Sequence, residues 1–221
     1  MTGRPKDTTY AILGLLAMRD WAAYELTKEM RRSLRYFWPR AESAVYGELK
    51  KLKDSGDATT RVERRGQRAT TIYSITPEGS ERLREWLGQD PRRGVLLESE
   101  GLLRIFSSAS SPPDRETVLA GIEAIESNAN EILRKAHQVG GEYLEGVAPF
   151  QDQIRWRVFS HVFSVSYAMM LADWCRWAQT ELDRWQGADE ETVRRNAAAT
   201  FGEMRRLLDA YLGDAADPDE S

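Results

Sequence analysis

Apolar residues recur at helical spacing almost from the start of the chain. From about Thr8, Ile12, Leu15 and Leu16 fall on one face, and Leu26, Met30 and Leu34 repeat four apart between Tyr24 and Arg35. Pro39 breaks the pattern, and a third helix is expected from about Ala41 to Ser55, stopping at Gly56, with Val45, Leu49 and Leu52 as its buried stripe. From Ala58 the period changes. The runs ATTRVER and RATTIYSIT are rich in β-branched residues and are joined by a short link containing Gly66, which predicts a hairpin. Thr76, Pro77 and Glu78 then supply an N-cap, a first-turn proline and a first-turn acid for a helix ending near Gly88.

Beyond this point the pattern is helical throughout. A short apolar helix fits Val95 to Phe106, and SSASSPPD (107–114) reads as a loop. Longer helices suit Arg115 to Glu145, Phe150 to Trp185 and Asp189 to Leu212. The expected fold class is mainly α with a small β-hairpin. A winged helix-turn-helix domain would occupy 1–89, a linker 90–94 and a helical dimerisation and effector domain 95–213, with a disordered acidic tail at 214–221.

Composition narrows the chemistry. Hydrophobic residues make up 41% of the chain, which suits a folded protein. The single cysteine excludes an internal disulfide, and with only two histidines no Cys/His metal cluster is expected. The start MTGRPKD is polar and is not expected to be a secretory signal, and the longest uncharged run (158–172) falls short of the roughly 20 residues a membrane span needs. A cytoplasmic protein without membrane contact is expected. Charge is uneven. Residues 1–93 carry 19 Lys and Arg against 13 Asp and Glu, a net +6, whereas residues 94–221 carry 12 against 22, a net −10. The basic half contains the hairpin, which points to double-stranded DNA as the partner.

On a helical wheel Ser43, Gly47 and Lys50 lie opposite the Val45 stripe, with Tyr46 and Lys51 beside them. A mid-helix glycine costs roughly 1 kcal/mol relative to alanine, and close approach of DNA would account for Gly47. Arg64, Arg65 and Arg68 surround Gly66 where a hairpin tip would meet phosphates. A bland alternative makes Lys50, Lys51 and Lys53 a solvated face with Glu48 and Asp54, and Ser43 an N-cap. Arg4 and Lys6 would form either a minor-groove arm or a frayed terminus. Phe37 and Trp38 are expected in the core.

The segments YAILGLL (10–16), AYEL (23–26), FWPRAESAVYGELKKL (37–52) and YSITPEG (73–79) resemble the PadR family of bacterial transcriptional regulators over most of residues 9–88. The resemblance implies DNA contacts from Ser43 and Tyr46, from the basic wing, and from Tyr24 at the start of the second helix. It also implies a homodimer built by the C-terminal helices, and a repressor released by an aromatic effector. Two positions depart from the family's pattern. Ala23 stands where Gly is common, and Asp57 where an apolar residue follows the helix-ending glycine, which is expected to loosen the hairpin's packing.

Trp156, Trp174, Trp177 and Trp185 fall on one expected helix with His161, Phe163, Tyr167 and Met170. Trp174 and Trp177 are expected to share a face with Met170 one turn back, and with His161 and Tyr167 they form the candidate effector site. Core or dimer packing explains the same rings. No nucleophile elbow, phosphate-binding loop, zinc-protease motif or dinucleotide fingerprint occurs, so neither an enzyme nor a cofactor is expected, and Cys175 reads as a small buried hydrophobe. Alternatives are an activator, a ligand-independent DNA binder, or a small-molecule-binding protein with a vestigial winged helix.

Overall fold

The computed structural model describes residues 7–65, 68–91, 94–95, 97–107 and 115–215. The chain divides into two compact units, residues 1–97 and 98–221. In the first, α1 (Asp7–Leu16), α2 (Ala23–Ser33) and α3 (Glu42–Asp54) pack around Ile12, Leu13, Leu16, Leu26, Val45, Leu49 and Leu52. All but Leu13 are positions of the repeating pattern, whereas Leu34 of that pattern lies past the end of α2 and is half-buried.

The sheet has three strands rather than the expected two. β2 (Ala58–Arg65) and β3 (Arg68–Ile75) pair antiparallel from Ala58↔Ile75 to Arg65↔Arg68, and β1 (Trp21–Ala22) adds to the other edge of β3. Two residues are too few to show strand alternation, which hid β1 in the sequence. Its anchor is the Trp21 indole, which donates to the Leu15 carbonyl at 2.7 Å.

The turn from α3 into the sheet is fastened at Asp57, contrary to the expected loosening. Asp57 is buried, its carboxylate accepts from Arg82 and from the Ser55 hydroxyl, and its carbonyl accepts the Thr76 N–H at 3.1 Å. The expected cap of α4 (Pro77–Leu87) is present, with Thr76 accepting from the Gly79 N–H. A Cβ on Gly79 would sit 2.1 Å from the Asp57 carbonyl, so only glycine lets α4 come this close.

Helix α2 ends at Ser33, short of the expected Arg35, so residues 34–38 form a turn. Phe37 is consequently exposed and Trp38 half-buried with the Arg40 guanidinium 4.4 Å over its ring, where both were expected in the core.

In the second unit, α5 (Glu100–Ser107) begins five residues later than expected. α6 (Arg115–Leu144) and α7 (Ile154–Trp185) run antiparallel, joined by a segment that ends in a short 3-10 turn at Gln151–Gln153. Ile122, Ile125, Ala129, Leu171, Cys175, Ala178 and Leu182 form the core between them. Gly101 and Gly121 let α5 cross α6 closely, because a Cβ on Gly101 would meet the Gly121 carbonyl at 2.6 Å. Cys175 is fully buried as expected, and burial first, then the Glu126 charge, pushes its thiol pKa up. α8 (Glu190–Ala215) runs past Leu212 into the segment expected to be disordered, whose last six residues lie outside the described ones. None of its described side chains is buried.

Candidate nucleic-acid interface

The third helix presents two faces with different chemistry. Val45, Leu49 and Leu52 point inward, whereas Ser43, Tyr46, Gly47, Lys50 and Lys51 are exposed. Ser43 lies inside the first turn. Ala41 occupies the N-cap position without a side-chain bond, so Ser43 is not the cap. A Cβ on Gly47 would meet nothing within 4 Å. Packing within the protein therefore gives no reason for a glycine here, although it lowers helix stability by about 1 kcal/mol. Tyr24, in the first turn of α2, is 69% exposed.

Glu48 corrects the solvated-face picture. It is buried on the inner side of α3, accepts a hydrogen bond from the Thr9 hydroxyl on α1, and lies 3.0 Å from the Lys51 ammonium. Its spacing, three after Val45 and four before Leu52, is the signal that could have found it.

At the wing, Arg64 is exposed. The register pairs Arg65 with Arg68 across the hairpin. The side chains of Arg65 and Arg68, the link at 66–67 and the arm residues Arg4 and Lys6 lie outside the described residues. Arg61, not singled out in the sequence, bonds Asp20 at 2.5 Å, Glu63 at 2.9 Å and the Ser74 hydroxyl at 3.0 Å. Its fork is thus occupied in bracing the wing base. Hydrogen bonds from Ser74, then Arg61, hold the Asp20 carboxyl below the usual range.

The expected aromatic cluster in the second unit is split between two faces of α7. Tyr167 and Trp174 lean on the α6–α7 core, whereas Met170 and Trp177 are exposed. His161 is half-buried beside Gly140. Trp174 and Trp177 therefore do not share an environment within one chain. Among the described residues, no three His, Cys, Asp or Glu are grouped to hold a metal, and no helix is long and apolar enough to cross a membrane.

A three-helix core, an exposed third helix and a following β-wing define a winged helix-turn-helix unit. Residues 12–85 match the transcriptional regulator PadR-like family, and this segment is a PadR-like domain. The negative transcriptional regulator PadR of Bacillus subtilis (strain 168) is 38% identical over 98 residues, covering 44% of this chain and 54% of that protein. The chain spans about half the length of the curated relatives it matches. Among solved structures, Bacillus subtilis PadR in complex with operator DNA superposes with a TM-score of 0.63 at 23% identity, over 80% of this chain and 99% of that one. The same protein in complex with p-coumaric acid gives 0.60 at 20% identity, over 81% and 99%. At these identities the likeness is one of fold.

Proposed function

We propose that the protein is a DNA-binding transcriptional regulator acting as a homodimeric repressor in the cytoplasm. Residues 1–89 would form the DNA reader, 90–94 the linker and 95–213 the dimerising part. The observation that carries this reading is the outer face of α3, where Ser43, Tyr46, Lys50 and Lys51 surround a glycine that no internal contact requires. In the groove, Ser43 and Tyr46 on that face would meet base edges, with Lys50, Lys51, Tyr24, Arg64, Arg65 and Arg68 on phosphates. A dimer would set two such helices against the half-sites of a pseudo-palindrome.

The repressor assignment draws on the relative named a negative regulator. A PadR structure holding p-coumaric acid supports an aromatic effector here, with His161, Tyr167, Met170, Trp174 and Trp177 as the residues to test. The dimer would have to bring the exposed Met170 and Trp177 into an enclosed site, and the effector would release DNA by favouring a dimer shape that no longer matches the half-sites. Tryptophan fluorescence during titration with aromatic compounds, with and without DNA, tests that coupling.

Replacing Arg64, Arg65 and Arg68 together by alanine should weaken binding to all DNA and flatten its salt dependence, since phosphate contacts release counterions without reading sequence. Unchanged affinity and salt slope in a gel shift would remove the wing from the interface.

A further inference from the structure

α3 buries a carboxylate among its apolar residues. Glu48 is 8% exposed, between Val45 at 2% and Leu52 at 2%. One carboxylate oxygen accepts from the Thr9 hydroxyl on α1, and the other lies 3.0 Å from the Lys51 ammonium. Lys51 is itself 66% exposed along its side chain, so the pair runs from the helix interface to the DNA-facing side. A carboxylate removed from water is strongly disfavoured without its partners, and detaching one partner costs far more than breaking a surface ion pair. Lys51 is therefore not a freely swinging cation. Its ammonium has three N–H donors, of which Glu48 takes one. Lys50, next along the chain, is exposed and makes no ion pair among the described residues.

We infer that Glu48 is a positioning residue for DNA recognition, which pins Lys51 at one place on the outer face of α3 so that its remaining donors meet a phosphate in one register. This rests on the DNA-reading function proposed above. Lys50 and Lys51 then differ in kind. The free lysine follows phosphates wherever the helix lies, adding affinity for any duplex. The pinned lysine contributes only when α3 is seated correctly, because its ordering has been completed in advance and its position cannot adapt.

The test compares a duplex selected by the wild-type chain from random fragments with a scrambled duplex of the same composition. Lys50→Ala should weaken both by the same factor. Lys51→Ala should lower the preference for the selected duplex about fivefold or more, the scale of one lost charge-assisted contact. Glu48→Gln keeps an acceptor for Thr9 but discards the charge. It should reproduce the preference loss of Lys51→Ala, and the double variant should lose no more than either single one.

If Lys51→Ala weakens both duplexes equally, or if the losses from Glu48→Gln and Lys51→Ala multiply, the inference is overturned. Should Glu48→Gln fail to fold, Glu48→Asp, which keeps the charge but shortens its reach to Lys51, takes its place and should lose the same preference, and a melting curve on each variant separates lost stability from lost preference. Absence of any preference in the wild-type chain would sink the DNA reading and this inference with it. Preference in the wild type that survives in Lys51→Ala sinks this inference alone.

Discussion

The two units treat their apolar residues in opposite ways. Between Asp7 and Leu87 the helical stripes close on one another, leaving Ile12, Leu13, Leu26 and Leu49 with no exposure. In the second unit α5, α6 and α7 close on one another around Ile122, Ile125 and Cys175, but the outer faces of α7 and α8 do not. Trp156, Phe159 and Val162 on α7, and Phe201, Leu207, Leu208 and Tyr211 on α8, remain exposed. Apolar area of this extent is normally covered by another surface. The first unit is thus complete within one chain, whereas the proposed dimer would complete the second. The proposed regulator would use that division, with a rigid reading helix whose spacing to a second copy can change.

The largest expected effect tests the completeness of the first unit. Leu49→Ala should cost about 2–5 kcal/mol, as buried leucine truncations do, with a loss independent of protein concentration. Urea denaturation at two concentrations checks it. A loss below about 1 kcal/mol would mean that the α1–α3 seam is not the closed core described. The matching experiment on the other unit is Phe201→Asp combined with Tyr211→Asp. With α8 solvent-facing in one chain, helix content should be retained while light scattering moves from a dimer toward a monomer. Unchanged mass would place the dimer contact elsewhere or remove it.

The same contrast explains what was legible in the sequence. Helix positions, the hairpin and the Thr76 cap followed from periodicity and turn chemistry, which are local signals. β1 was hidden because a two-residue strand has no period. The burial of Glu48 was hidden because helix amphipathicity treats a carboxylate as outward-facing, whereas a partner that the fold brings from another helix, the Thr9 hydroxyl, helps hold it inward. Asp57 was misjudged for the same reason, since Arg82 and Ser55 are brought to it by the fold. In the second unit the aromatic residues could be counted, but whether they face α6 or solvent depends on α7's rotation, which ring density does not report.

A smaller effect separates function from folding on α3. Gly47→Ala adds a methyl that meets nothing in the protein, so thermal stability should rise by roughly 1 kcal/mol while DNA affinity falls. Increased stability with unchanged affinity would take Gly47 out of the interface. The smallest expected effect is at the wing base. The Asp20 carboxyl pKa is held down by Ser74 and Arg61, so its stabilising contribution is present above its unfolded pKa and fades as pH falls through the folded one. Asp20→Asn should therefore lose a little stability at neutral pH and match the wild type in acid. Equal stability at neutral pH would mean that the brace is idle.

The most direct measurement of the central claim is the affinity of the intact chain for a selected duplex and a scrambled one across a rising salt series. If the outer face of α3 reads bases while the wing holds phosphates, both affinities fall with salt but the selected duplex stays preferred throughout. Affinities that start equal and fall together would show a basic surface binding any polyanion, and would contradict the account.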